Sequence, residues 1–188
     1  MMTKRWFAGA ALAVAGTCAF AAPTTYEGTL ASGVSRTGTA GGLAWFLDDG
    51  ANVDYWSFAG RIGQTVTITV NRLNANFDPG LTLYSGTTTV DTSLFSSGGS
   101  YGGMTFIGSL DDEHPASLVP GPGGDPFGSF FLSSNGNYTI AIGGSLSTDA
   151  GQYPYRIGIS LVPEPGTWSI LAIGMTGLGL MRRRPRKR

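Results

Sequence analysis

The sequence predicts an all-β fold, a jelly-roll-like antiparallel β-sandwich flanked by an N-terminal signal helix and a C-terminal hydrophobic helix. The chain contains 30 glycines and is rich in Ser, Thr, β-branched and aromatic residues, a composition typical of short strands joined by long loops. Between residues 64 and 70, apolar and polar residues alternate strictly, which places Val66, Ile68 and Val70 on one face. We expect that face to line the core.

Seven or eight strands are expected along the chain. Residues 24–30 and 43–47 are the first two candidates, on either side of the Gly-rich segment 32–42, and residues 54–58 form the third. After the segment 64–70 and the turn Asp78-Pro79-Gly80, further strands are predicted at 81–84, 104–107, 129–132, 137–142 and 156–161. This spacing favours a sandwich, although periodicity alone does not choose its topology.

The N-terminus has the pattern of a secretory signal peptide. Lys4 and Arg5 precede an apolar stretch at 6–20, and Ala19-Phe20-Ala21 is an A-x-A cleavage site. We therefore expect residues 1–21 to direct export through the general secretory machinery and to be removed after Ala21. Cys18, the single cysteine of the sequence, would leave with this peptide.

The C-terminus combines a proline-bounded joint, an apolar run and a basic cluster. Pro163, Glu164 and Pro165 are followed by apolar residues 168–181 and then by basic residues that include Arg182, Arg183 and Arg184. As a helix the run spans about 21 Å, less than the roughly 30 Å hydrocarbon core, so it would anchor only marginally. The basic cluster resists translocation and acts as a cytoplasmic stop, which predicts a membrane-anchored precursor.

This three-part tail, residues 162–188, resembles the PEP-CTERM sorting signal, which is also described as an ice-binding-protein C-terminal segment. The resemblance implies cleavage near Pro163-Glu164-Pro165 by an exosortase-type membrane enzyme, followed by release or attachment at the cell surface. An ordinary tail anchor is the alternative interpretation.

The predicted mature domain, residues 22–161, is acidic. From residue 22 to Glu164 the chain has only four basic residues, all arginines, against twelve Asp and Glu, which gives a net charge of −8. Nucleic acids and anionic lipid surfaces are therefore poor partners, whereas solubility outside the cell and binding of cations are favoured.

Residues 45–161 resemble the bacterial pre-peptidase C-terminal (PPC) domain. The motifs that carry this resemblance are, in order, Asp54-Tyr55-Trp56-Ser57-Phe58, Gly63-Gln64-Thr65-Val66, Asp78-Pro79-Gly80-Leu81-Thr82-Leu83-Tyr84, Asp111-Asp112 and Gly136-Asn137-Tyr138-Thr139-Ile140. The resemblance implies a compact jelly-roll sandwich that serves in targeting or binding and has no catalysis of its own. The enlarged segments 85–103 and 113–128 depart from the family pattern.

Acidic loops provide one candidate site. Asp49, Asp54, Asp111 and Asp112 are hypothetical calcium ligands, because Ca²⁺ prefers carboxylate and carbonyl oxygens and because some relatives of the implied fold bind it. Neither loop has EF-hand spacing, and the alternative is that these carboxylates are simply solvated.

Catalysis is not expected. His114 is the single histidine, and the sequence has neither a G-x-S-x-G elbow nor a metal-binding histidine pair, so a solvated loop residue is the simpler interpretation. An envelope polysaccharide hydrolase that uses paired carboxylates stays open as an alternative, since the sequence does not fix their separation.

Exposed aromatic residues are candidates for glycan contact, with Trp45 and Tyr101 the main ones. Trp56 shares a strand face with Phe58 and is expected in the core. The threonines of 65–69 form one hydroxyl row of the kind found on ice-binding surfaces, but such a row is also normal on the wet side of a strand.

Together these patterns predict an exported bacterial cell-surface or extracellular-matrix protein with a non-catalytic structural or binding domain. A glycan-binding module, with extracellular polysaccharide as its partner, is the main alternative, and an ice-binding module is a weaker one.

Overall fold

The computed structural model describes residues 22–147 and 149–163. The predicted signal peptide, the segment from Glu164 onward and the basic cluster at Arg182, Arg183 and Arg184 lie outside the described residues. Within the described part of the chain, no helix is long and apolar enough to cross a membrane.

Strands dominate this region, and one short 3₁₀ helix at Thr92–Leu94 interrupts them. In chain order they are β1 (Tyr26–Thr29), β2 (Ser35–Gly41), β3 (Asp54–Gly60), β4 (Gln64–Arg72), β5 (Pro79–Ser85), β6 (Thr105–Leu110), β7 (His114–Pro115), β8 (Gly124–Asp125), β9 (Phe127–Leu132), β10 (Gly136–Gly144) and β11 (Gln152–Pro163).

The strands form two principal sheets that face each other. One sheet has the order β1-β3-β10-β5-β6 and the other the order β2-β11-β4-β9, while β7 and β8 form a small separate hairpin. Neighbours pair antiparallel except β1 and β3, which are parallel. Apart from the β5–β6 hairpin, consecutive long strands from β2 to β11 lie in opposite sheets, as they do in jelly rolls. The prediction of an all-β sandwich is therefore confirmed.

The core lies between the two sheets. Val66, Ile68 and Val70 are fully buried there, as the alternation predicted. Trp56 and Phe58 enter the same core from β3, with 5% and 1% of their surfaces exposed. Burying one such side chain contributes about 1.5–3 kcal/mol, so these inward rows hold the sheets together.

One early strand prediction is wrong. Residues 43–47 form a turn, whereas β2 lies inside the Gly-rich segment 32–42, where no strand was predicted. Gly38 belongs in this strand for a packing reason, because a Cβ there would collide with the Tyr155 hydroxyl and with Asp54 Oδ2. The glycine therefore marks a close approach between sheets, a role that composition alone does not reveal.

At one edge of the sandwich, β6 and β9 pack together by matching glycines with large side chains. A Cβ on Gly108 of β6 would lie 2.6 Å from the Phe130 ring, and a Cβ on Gly128 of β9 would lie 2.6 Å from Leu110. The inward side chains of β9 are thus already engaged by β6, which closes the core at this edge.

The two sheets differ in what covers their outer faces. The five-stranded sheet is covered by the loops around residues 44–53 and 86–104. Side chains of these loops pack on outward residues of the sheet and form a second buried cluster with them, which includes Tyr55, Tyr84, Phe95, Tyr101 and Met104. The four-stranded sheet, in contrast, leaves outward residues of β4, β9 and β11 in contact with solvent. That bare face is where a large partner has access.

Candidate binding surface

Rows of short hydroxyl side chains cross the outer face of the four-stranded sheet. Thr67 of β4 lies beside Ser160 of β11 and Ser129 of β9, and its Oγ1 is 2.7 Å from Ser129 Oγ. The next row along β4 contains Thr65, between Val162 and Phe131. We call this face, made of the outward residues of β2, β4, β9 and β11, the hydroxyl face.

Two phenylalanines border the hydroxyl face. On β9, Phe127 lies two residues before Ser129 and Phe131 lies two residues after it. Their side chains are 42% and 52% exposed, which is high for a ring of this size. An exposed aromatic ring beside hydroxyl groups offers both an apolar contact and hydrogen bonds to a sugar ring. The face therefore has the mixed chemistry that carbohydrates require.

A groove of about 320 Å³ runs over Gly158 on this face. Its lining combines polar residues, among them Ser35, Thr69, Asn71, Arg156 and Ser160, with the apolar Val34 and Ile159. The groove exists because Gly158 has no side chain between Ser35 of β2 and Thr69 of β4, its two partners across the strands. Arg156 is exposed and adds one cation to an otherwise uncharged lining.

The aromatic residues predicted to contact glycans do not form such a surface. Tyr101 is only 1% exposed, and its hydroxyl is hydrogen-bonded within the cluster under the loops, so its assignment as a glycan contact is corrected. Trp45 is half-buried, and its Nε1 donates to Thr82 Oγ1 at 2.9 Å. Its ring covers Gly80, where a Cβ would lie 2.7 Å away. Both rings pack between the loops and the sheet, an arrangement that the sequence does not reveal.

Asp54, one of the predicted calcium ligands, joins the two sheets instead. Its Oδ2 accepts hydrogen bonds from the Tyr155 hydroxyl at 2.7 Å and from the Thr39 amide at 2.9 Å. The same Tyr155 hydroxyl accepts a bond of 2.7 Å from Trp56 Nε1. Burial raises the pKa of Asp54 to about 6, and Glu27 adds to the rise, whereas the Tyr155 bond opposes it. Asp49 lies apart on an exposed loop, where its Oδ2 accepts from Asn52.

Asp111 and Asp112, the other two predicted ligands, lie near a buried arginine. Arg72 is fully buried, and its Nε donates to Asp125 Oδ1 at 2.7 Å while Nη2 donates to Asp78 Oδ1 at 3.2 Å. Asp112 Oδ1 accepts from the Gly124 amide at 2.6 Å. We call Arg72 and these four carboxylates the arginine cluster.

The arginine cluster contains more negative than positive charge. Burial raises the pKa of Asp78 to about 6, Asp112 and Asp111 reinforce that rise, and Arg72 opposes it. Burial also raises the pKa of Asp111, whose Oδ2 accepts from Ser145 Oγ. Two buried oxygens, Asp111 Oδ1 and Asp125 Oδ2, have no hydrogen-bond partner among the residues that the structure describes. One guanidinium therefore balances this group only in part.

The four predicted calcium ligands do not meet at one point. Asp54 begins β3 and Asp111 follows the end of β6, and the registers through Ile142 and Leu81 place these positions three strands apart, about 14 Å. Within residues 22–147 and 149–163, no group of three or more His, Cys, Asp or Glu side chains has a metal-binding arrangement. Calcium binding thus stays a prediction of the sequence, and this set of four ligands does not fit a single ion.

His114 lies at the surface, as the simpler interpretation expected. It is exposed, and its Nδ1 is 2.9 Å from the Pro115 carbonyl oxygen. Its ring packs edge-on against Phe127, with the two ring centroids 5.5 Å apart. No nucleophile is among the contacts of this imidazole that the structure shows.

Sequence reading missed most of the hydroxyl face. The threonines of β4 were noticed as a single row, but Ser129, Ser160, Phe127 and Phe131 join them only through pairing with β9 and β11. The alternation along residues 127–131 could have indicated this, since Phe127, Ser129 and Phe131 are alternate residues and therefore share one face of a strand. The arginine cluster had no comparable signal, because Arg72 and Asp125 are far apart in the chain.

The described residues form a two-sheet β-sandwich with one exposed sheet face. No protein-family model matches the sequence, and no curated protein matches it either. Among solved structures, one similar chain is CorA, a surface-associated copper-binding protein of Methylomicrobium album BG8 that is important in copper acquisition. It is 15% identical with a TM-score of 0.54, over 73% of this chain and 98% of CorA. At this identity the similarity shows the shared fold alone.

Two further structures are more distant. Secreted MopE of Methylococcus capsulatus, in which an oxidized tryptophan facilitates copper binding, is 11% identical with a TM-score of 0.48, over 74% of this chain and 91% of that one. The pre-peptidase C-terminal domain of a Bacillus anthracis collagenase is 12% identical with a TM-score of 0.39, over 73% and 98%. Scores this low do not establish the PPC assignment, which stays a prediction.

Proposed function

We propose that this chain is an exported, non-catalytic β-sandwich that is displayed at the cell surface or in the extracellular matrix and binds neutral polysaccharide there. The observation that carries the proposal is the hydroxyl face, which is bordered by the exposed rings of Phe127 and Phe131 and grooved over Gly158. The face is open to solvent, as a site for an extended polymer should be.

The charge of the domain favours a neutral glycan over an acidic one. Residues 22–164 have a net charge of −8, so an anionic polymer would be repelled over most of its approach. On the hydroxyl face itself, Arg156 and the hydroxyls of Thr69 and Ser160 supply hydrogen bonds without adding negative charge.

Export and sorting form the second part of the proposal. The signal-peptide pattern and the PEP-CTERM-like tail support passage through the general secretory machinery, transient anchoring and processing by an exosortase-type enzyme. CorA, which shares the fold, is described as surface-associated, and that location is compatible with the proposal. Pro163 is exposed as the last residue of β11, paired with Gln64, so the folded domain reaches the proposed processing site.

Copper is not part of the proposal, although CorA and MopE are copper-binding proteins. Copper sites in proteins use imidazole and sulfur ligands, and this sequence contains one histidine and one cysteine. The cysteine is Cys18, inside the predicted signal peptide. A copper site built from several imidazole or thiolate ligands therefore has too few donors in this sequence.

Hydrolysis is the competing function, with Asp111 or Asp112 as its carboxylates. In the folded domain Asp111 accepts from Ser145 and Asp112 accepts from the Gly124 amide. These bonds position the two side chains toward the protein's own backbone and side chains, which supports a structural role over a catalytic one.

Binding can be tested by electrophoresis of the purified protein through native gels that contain a soluble β-glucan or, separately, alginate. We expect retardation by the neutral polymer only. Gly158→Val should abolish it, because the branched side chain fills the groove, and the one atom within 4 Å of the new Cβ is the Ser35 hydroxyl at 3.3 Å, which can rotate aside. Gly98→Val, on a loop with open space around it, is the matched control. Equal mobility of all three proteins in every gel would refute glycan binding.

Sorting can be tested in the producing cell. Replacing Pro163-Glu164-Pro165 by three alanines should leave an uncut membrane-bound precursor, whereas the parent chain should yield a shorter extracellular form. Intact mass of the extracellular form should also show a start at Ala22. Normal processing of the triple-alanine variant would contradict the sorting assignment.

A further inference from the structure

The free edge of β9 is the least protected strand edge of the sandwich. Proteins normally protect such edges from pairing with another chain by charges, prolines, bulges or short length, because an unpaired strand edge can hydrogen-bond to a further strand. Among the described sheets, β1 has only four residues, β2 contains Arg36, and the pairing of β6 has a register shift at Leu83/Tyr84. The sequence of β9, FGSFFL, has none of these devices.

The hydrogen-bonding register of β9 shows which groups are available. Val70 N donates to Pro126 O at 3.0 Å, so the even-numbered residues of this segment direct their backbone groups toward β4. The odd-numbered residues Phe127, Ser129 and Phe131 therefore direct N–H and C=O away from β4. In the part of the chain that the structure describes, β9 ends its sheet, so no strand meets these groups.

We propose that β9 pairs antiparallel with β9 of a second copy of this chain, about a two-fold axis at Ser129. In this register Ser129 lies opposite its own copy, and Phe127 lies opposite Phe131 of the partner. Every outward residue then meets another outward residue, and each pair exchanges both backbone hydrogen bonds. The sequence of β9 is self-complementary in this register, because Phe127 and Phe131 are placed symmetrically about Ser129.

Side chains favour the same register. The pairing places the two exposed phenylalanines of one copy beside those of the other, and cross-strand aromatic pairs stabilise sheets. Since β9 has no charged residue, the net charge of −8 that residues 22–164 of each copy carry is not concentrated at this edge. The inward side chains do not interfere, because Phe130 and the space at Gly128 are already engaged by β6.

The product is a two-fold dimer with one continuous sheet through both copies. An isologous contact of this kind closes on itself and does not propagate into fibres. A six-residue edge is small beside the roughly 1,000 Å² expected of a stable interface, so association should be weak and dependent on concentration. Added salt should strengthen it by screening the repulsion between two acidic domains.

The test uses the secreted protein with cysteine introduced at single positions. Ser129→Cys should form a disulfide-linked dimer on mild oxidation, because paired Cα atoms in an antiparallel ladder are about 5.5 Å apart, within disulfide reach. Ser160→Cys is the matched control, since Ser160 is exposed on the same face but lies on the interior strand β11. Faster cross-linking at Ser160, or equal rates at both, would overturn the proposal.

A second measurement does not depend on cross-linking. Sedimentation velocity of the unmodified protein should show a dimer whose fraction rises with protein and salt concentration. Phe131→Lys should weaken dimerisation about tenfold or more, since it removes two aromatic pairs and brings a cation to the edge. Ser129→Pro should abolish it while leaving the melting temperature within a few degrees, because the lost N–H faces away from β4. A monomer at all concentrations, or a dimer unaffected by either change, would refute the pairing.

Discussion

The hydroxyl of Tyr155, on β11 of one sheet, donates a 2.7 Å hydrogen bond to Oδ2 of Asp54, on β3 of the other sheet. The bond is part of a chain that begins at Trp56 Nε1, so three polar groups at the sandwich interior satisfy one another. Desolvation of the carboxylate is the cost of this arrangement, and it appears as a pKa of about 6 for Asp54.

The raised pKa values of Asp54 and Asp78 predict greater stability in mild acid. Each pKa moves from 3.8 to about 6 on folding, so the folded chain binds more protons than the unfolded chain between these values. Stability should therefore rise as pH falls from about 6 to about 4, and it should be lower at pH 7. Thermal unfolding across this range measures the effect, and Asp54→Asn should reduce the slope. A melting temperature that falls steadily from pH 7 to pH 5 would contradict it.

Arg72→Met should destabilise the domain by about 3 to 5 kcal/mol, because it leaves Asp78 and Asp125 buried without their cation. Urea unfolding followed by tryptophan fluorescence gives the free energy of unfolding. Arg61→Met, at an exposed turn position, is the control and should change it by less than about 0.5 kcal/mol. Equal effects of the two substitutions would show that the arginine cluster does not support the fold.

Gly38→Ala should cost about 1 to 3 kcal/mol, because the added methyl group overlaps the Tyr155 hydroxyl and Asp54 Oδ2. The control is Gly98→Ala, since no atom lies within 4 Å of a Cβ at that position. Combining Gly38→Ala with Tyr155→Phe removes the contact with the hydroxyl but leaves those with Tyr155 Cζ and Asp54 Oδ2, so the double variant should lose less stability than the sum of the two single changes. If the double variant is less stable than the two single changes predict, the clash is not the cause.

Tyr101→Phe should destabilise the domain by about 1 kcal/mol. The Tyr101 hydroxyl bonds to Thr24 Oγ1 and to the Val90 carbonyl, and it helps to hold the N-terminal segment against the loop before the 3₁₀ helix. The Thr92 amide donates to the Ala22 carbonyl in the same region. Chemical denaturation measures the loss. Unchanged glycan binding by this variant would separate Tyr101 from the hydroxyl face, and a selective loss of binding would restore it as a contact residue.

Local sequence patterns were enough to predict the strands that have one buried and one exposed face. Alternation located β4 and its buried row of Val66, Ile68 and Val70, and it assigned Trp56 and Phe58 to the core. It does not predict β2, which lies in the Gly-rich segment 32–42 and contains Gly38 at a close approach between the sheets. It also misplaced Tyr101, since exposure depends on loops that cover a sheet and not on the strand itself.

By itself the sequence determined the class of fold and the acidic character of the domain, because composition, charge and alternation are properties of neighbouring residues; it also predicts export and sorting signals at the two ends. Tertiary structure alone decided that Asp54 and Asp111 are three strands apart, that Arg72 meets Asp125, and that Thr67 lies between Ser129 and Ser160. These are relations between strands that are distant in the chain, and pairing register, which no local pattern encodes, sets them.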